Sequence, residues 1–199
     1  MRRAGLVLLA SLAMSAVVVG GCGGSDEPQT DEAAAAPTTP PELISKLSTA
    51  AHAGDVDAVM SHLTPEAAAQ NGQTWIGFLG RTASQDLKDA FAAIPGETRQ
   101  AMPQAGSAEF MKLFRDASPH GFAAMFKFYL VADESWVEKD GKVLAAMVNE
   151  RSQPVLLAMS RGADGELRLV SEAEFQVVAR TLTRDLEAKL AAAQSAAAP

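Results

Sequence analysis

Apolar positions recur at helical spacing along the first two thirds of the chain after residue 40. Leu43, Ile44, Leu47, Ala50 and Ala51 fall on one face. Ahead of them, Thr39-Pro40-Pro41-Glu42 offers an N-cap, a proline at the first helical position and a carboxylate in the capping-box position, so a helix is expected there, ending at Gly54. Asp55 is the expected cap of a short second helix burying Val56, Val59, Met60 and Leu63. Thr64-Pro65-Glu66 starts another helical turn through Ala69. Ser84 caps a helix with Leu87, Phe91 and Ile94 inward, stopped by Pro95. Ser107 begins one that carries Phe110, Leu113 and Phe114. Ser118-Pro119 begins the next, with Phe122, Met125, Phe126 and Tyr129 on one stripe and Phe128 off it, facing a cavity or a partner. Between these, Gly72, Gly77 and Gly80 flank Trp75, Phe78 and Leu79. That stretch is either a mobile loop with an apolar lip or a segment whose aromatics enter the core.

The period then changes to two. Trp136 to Glu138 precedes Lys139-Asp140-Gly141-Lys142, a two-residue hairpin signal, and Val143 to Val148 is the return strand. Pro154 to Ser160 gives a third strand, and Asp164-Gly165 a second hairpin into Glu166 to Val170. Ser171, with Glu174 at the box position, caps a last helix whose stripe is Phe175, Val178, Leu182 and Leu186. Asp185 and Lys189 form an i,i+4 pair on its outer side. The expected fold class is α+β: N-terminal helices, a four-stranded antiparallel meander and a closing C-terminal helix. Residues 40–191 form one domain of this kind, and residues 192–199 read as a disordered tail.

The N-terminus changes the picture. Arg2 and Arg3 lead into an apolar run from Ala4 to Val19, followed by Gly20-Gly21-Cys22, which carries the only cysteine. The run is short for a membrane span, which needs about 20 residues, and has the layout of an export signal over residues 1–21. Val19-Gly20-Gly21-Cys22 resembles the lipobox of bacterial lipoproteins. That resemblance implies cleavage before Cys22, a thioether-linked diacylglycerol on its sulfur, and attachment to a membrane outside the cytoplasm. Gly23, which is not aspartate, implies the periplasmic face of the outer membrane in a cell with two membranes. Two or three acyl chains hold essentially permanently, at roughly 0.8 kcal/mol per buried methylene. After Cys22, residues 22–39 are rich in Gly, Pro, Ala, Thr and acidic side chains and read as a flexible tether.

Composition narrows the partners. The chain carries 17 basic and 24 acidic side chains, net −7, and becomes more acidic once Arg2 and Arg3 leave with the leader. Such a balance is poorly suited to nucleic acid. His52, His62 and His120 show no metal-ligand spacing, although His52 and His62, with Asp55 and Asp57, could approach across the first two helices. No serine sits in a Gly-x-Ser-x-Gly elbow and no glycine-rich phosphate loop follows a strand. No metal and no cofactor is therefore expected.

The run from Leu43 through Ala53-Gly54-Asp55 to Leu63-Thr64-Pro65-Glu66, with the later Val137–Val143 and Gly165–Ser171 segments, resembles NTF2-like (SnoaL-like) domains. The resemblance implies a curved antiparallel sheet closing a cone-shaped pocket, with Tyr129 and Asp133 as an acid–base pair and His62 as a further candidate. Two functions follow. The first is a non-catalytic, lipid-anchored envelope domain that binds a small apolar ligand or a protein partner. The alternative is an NTF2-like isomerase or dehydratase acting on a small hydrophobic molecule. A face such as Phe175–Leu186, if exposed, would instead serve envelope assembly.

Overall fold

Helices in the N-terminal half begin where a side chain can accept the first free amides. The computed structural model describes residues 36–196; the leader, Cys22 and residues 23–35 of the tether lie outside them. Asp55 accepts from the Ala58 amide at 2.9 Å, Thr64 from Ala67 at 3.2 Å, Asn71 from Thr74 at 3.2 Å and Ser84 from Leu87 at 3.3 Å. Each such cap contributes about 1 kcal/mol. They open α2 (Val56–Ser61), α3 (Pro65–Ala68), α4 (Gly72–Thr82) and α5 (Gln85–Ala92). Before them runs α1 (Pro40–His52), and after them come α6 (Gly96–Ala101), α7 (Ser107–Ala117) and α8 (Pro119–Ala124).

The chain then forms a curled antiparallel sheet and a final helix, so the fold is α+β. Its strands are β1 (Phe128–Leu130), β2 (Trp136–Lys139), β3 (Lys142–Asn149), β4 (Pro154–Arg161) and β5 (Leu167–Leu169). The order is β1-β3-β4-β5, with β1 and β2 sharing one side of β3: β1 pairs with its far end and β2 with its near end. Asp140 and Gly141 both take positive φ, 52° and 71°, which suits a two-residue hairpin between β2 and β3. The alternation expected of strands then sorts the core. Val143, Ala145, Met147, Val155, Leu157 and Met159 turn to the helices α1–α8, while Leu144, Ala146 and Ala158 turn to α9 (Glu172–Ala196).

Four expectations need correction. The helix read through Tyr129 stops at Ala124, and Phe128–Leu130 is a fifth strand paired with Asn149, Val148 and Met147. The tether does not run to residue 39. The Pro37 carbonyl accepts from the Leu167 amide at 2.8 Å, the Thr38 carbonyl from Arg161 at 3.1 Å, and Glu42 from the Thr38 amide at 2.7 Å. Of the tail, residues 192–196 continue the last helix, and residues 197–199 lie outside the described residues. The Phe175–Leu186 face is used at home: Val178, Leu182 and Leu186 are buried against the sheet. An Arg81–Glu172 ion pair and the Arg81 guanidinium 4.5 Å over the Phe175 ring fasten the start of α9 to α4.

The glycine-flanked stretch is α4, not a mobile loop, and Trp75 is 2% exposed. Its indole N–H donates to the Ser107 hydroxyl at 2.7 Å, and that hydroxyl lies 3.0 Å and 2.9 Å from the Ala67 and Gln70 carbonyls. Ser107 therefore links α3, α4 and α7 by a buried polar node. Ser107→Ala strands the indole N–H, a loss of about 2 kcal/mol, to be read as a lower urea midpoint.

Candidate functional site

Because β1 is an edge strand, its outer side meets α1 instead of another strand. The two elements leave between them an open groove of ≈ 530 Å³, within the size range of small-molecule sites. One wall is α1, which presents Pro41, Ile44, Ser45, Ser48 and Thr49. The apolar stripe of α1 faces the core, so the serines and threonine of its flank are left to line the opening. The other wall is Lys127, Phe128, Tyr129 and Leu130, with Asp133 beyond and Met147 from β3 beneath. Ile44, Phe128 and Met147 are 4%, 7% and 1% exposed, and form an apolar floor.

The rim is polar. The side chains of Ser45, Ser48, Thr49, Lys127, Tyr129 and Asp133 make no hydrogen bond or ion pair among the described residues. An apolar floor with solvent-facing polar groups around it that no other protein group engages can hold an amphipathic ligand: the floor removes apolar surface from water and the rim fixes orientation. A second recess, between α4, β4 and the start of α9, has ≈ 20 Å³, room for about one water.

Tyr129 and Asp133 thus line the same groove. His62 does not join them. It follows α2 at the other side of the sheet, where its carbonyl accepts from the Leu169 amide at 2.9 Å. Burial holds its imidazole below the ordinary histidine pKa, with the Lys46 charge acting the same way, Glu166 opposing and Arg168 adding to the depression. His120 is exposed at the start of α8. Among the described residues no three His, Cys, Asp or Glu side chains come close enough to hold a metal ion. Phe128, expected to face a cavity or partner, is buried and contributes to the groove floor. Tyr129, expected on a core stripe, is the exposed ring at 52%.

Ser45, Ser48, Thr49 and Lys127 were not among the expected site residues. On α1 the hydroxyls look like any solvated helix flank, and only the position of β1 turns that flank into a wall. What the fold and groove define is an α+β domain with an open cleft between a helix and an edge strand. No family model, no curated protein and no solved structure matches the chain. No helix among the described residues is long and apolar enough to cross a membrane.

Proposed function

We propose that this protein is a lipid-anchored, extracytoplasmic binding domain that holds a small apolar ligand, or a segment of a partner, in the groove between α1 and β1. The groove itself carries this reading: an apolar floor open to solvent under a rim of six polar side chains that the fold does not use. Val19-Gly20-Gly21-Cys22 supports the anchor, and the acidic segment after it supports a domain held off an anionic bilayer.

The test uses the full-length lipidated protein in nanodiscs with 1-anilinonaphthalene-8-sulfonate as an apolar probe. Ser45→Trp places a large ring across the groove from an exposed helix position and should weaken the probe about tenfold, or about 1.4 kcal/mol. Glu187→Trp, on the exposed side of α9, should leave it unchanged. Equal binding by both variants would rule out the groove. Intact mass showing a retained leader or a free Cys22 thiol would rule out the anchor.

A second reading, an acid–base enzyme of the NTF2-like type, draws on the placement of Tyr129 and Asp133 along one groove. It predicts a turnover that Tyr129→Phe abolishes while probe binding persists.

A further inference from the structure

The outer side of β1 presents backbone that the fold does not use. In an antiparallel pair, residues alternate between exchanging hydrogen bonds with the partner strand and turning their amide and carbonyl away. The Val131 amide donates to the Ala146 carbonyl at 3.2 Å, and Tyr129 stands opposite Val148. Tyr129 and Val131 are therefore turned toward β3, and Phe128 and Leu130 are turned toward the groove. The Phe128 amide is taken by the Phe126 carbonyl at 3.2 Å. By the same alternation the Phe128 carbonyl and both backbone polar groups of Leu130 are turned away from β3, and among the described residues no turn, loop or side-chain bond reaches them.

The opposite edge is treated differently. On β5 the Leu167 amide donates to Pro37, the Leu169 amide donates to His62, and the Leu169 carbonyl accepts from Thr64 at 2.9 Å. Proteins ordinarily blunt exposed sheet edges. Here one edge is covered by the chain's own backbone, while the other opens onto a groove. An acceptor, a donor and a second acceptor along one strand are complementary to another extended backbone, and hydrocarbon alone leaves them unsatisfied.

Side chains point the same way. On the face turned away from α1–α8, cross-strand rows run Tyr129–Val148–Pro154 and Val131–Ala146–Leu156. Tyr129, Val131 and Leu156 are 52%, 51% and 37% exposed. A strand added to β1 extends both rows with its alternate side chains and places the others over Ile44 and Met147.

We infer that the groove takes a short extended peptide with free termini, paired antiparallel to β1. This rests on the binding reading above and names the occupant of the same groove. Charge sets the direction. Lys127 precedes β1 and Asp133 follows it; both line the groove and neither has an ion-pair partner among the described residues. Antiparallel pairing brings the peptide's ammonium to Asp133 and its carboxylate to Lys127, whereas parallel pairing puts like charges together at both ends. From Lys127 to Asp133 the chain spans at most roughly 20 Å at about 3.3 Å per residue, which suits a peptide of about four to six residues.

The experiment is amide hydrogen exchange, read by NMR on the full-length lipidated protein in nanodiscs, with the free pentapeptide Val-Thr-Val-Thr-Val as probe. At saturation the Leu130 amide should gain at least about tenfold protection, while the Tyr129 amide, already turned to Val148, changes by less than about twofold. Acetylating the peptide N-terminus should weaken binding about threefold on the wild type and not at all on Asp133→Asn; amidating its C-terminus should do the same with Lys127→Gln. Saturation without Leu130 protection, or capping effects that persist in both variants, overturns the inference. Leu130 protection that rises with protein concentration and no peptide means a second copy fills the edge, which also overturns it. If the anilinonaphthalene probe binds and Ser45→Trp blocks it, yet the peptide does not bind at millimolar concentration, the peptide is wrong and the groove stands. If neither binds, both readings fail.

Discussion

Gly72→Ala is expected to destabilise the domain by about 3 kcal/mol, although alanine is the better helix former by up to about 1 kcal/mol. Gly72 is the first residue of α4, and its amide donates to the Ala105 carbonyl at 2.7 Å. Asn71 and Gly106 form an antiparallel bridge beside it, so the start of α4 is stitched to the 102–106 segment. A Cβ at Gly72 would lie 1.7 Å from the Met102 carbonyl oxygen, 2.8 Å from its carbon and 2.9 Å from the Phe110 ring. Two of those three atoms are backbone and cannot rotate aside. The helix must back away, opening contacts around Trp75 and Phe110, and that loss exceeds the propensity gain. The same helix supplies its own controls. At Gly77 and Gly80 a Cβ meets nothing within 4 Å, so Gly77→Ala and Gly80→Ala should each stabilise by about 0.5–1 kcal/mol. Urea denaturation of the three variants should therefore give one midpoint well below the wild type and two slightly above it. A neutral Gly72→Ala would mean that α4 and Met102 do not approach as described.

Local signals made most of this fold legible, and the misreadings have a common cause. Caps at Asp55, Thr64 and Ser84 act within one turn, and the Asp140-Gly141 hairpin within four residues, so the sequence around them suffices. β1 is different. Phe122, Phe126 and Tyr129 satisfy a helical period, but the conformation of Phe128–Leu130 is set by a distant partner, the far end of β3. α4 was ambiguous because three glycines weaken it; the Asn71 cap and the burial of Trp75 and Leu79 restore it. Ser107 begins α7 as expected, behind Gly106 at the cap position, but that its hydroxyl serves Trp75 depends on a helix 32 residues away. The groove inherits the error over β1. Its α1 wall was visible only as a solvated flank, because the wall opposite was read as helix. Tyr129 and Asp133 share that groove because a strand and the loop after it carry them there, which no acid–base pattern in the sequence encodes.

Phe114→Ala should be the most damaging single truncation in the helical half, lowering stability by about 4–5 kcal/mol. Phe114 is fully buried. Its ring lies 5.6 Å from Phe91 at 76°, 6.4 Å from Phe122 at 88° and 6.2 Å from Phe110. Phe-to-Ala truncations in close-packed cores fall in the range of about 3–5 kcal/mol. Each favourable aromatic pair adds about 0.5–1.5 kcal/mol beyond buried area, and Phe114 makes three, which places it at the top of that range. The hole also lies against α8: a Cβ on Gly121 would sit 3.2 Å from the Phe114 ring, so helix and ring are already in contact. α8 leads through Phe126 into β1, so slack there reaches the strand that walls the groove. Phe114→Leu, which refills much of the volume without the ring contacts, should lose about half as much. In the double variant with Phe122→Ala the losses should fall short of additivity by about 1 kcal/mol, because the two rings share one contact. Strict additivity of Phe114→Ala and Phe122→Ala, or a Phe114→Ala loss below about 2 kcal/mol, is incompatible with a shared close-packed aromatic cluster.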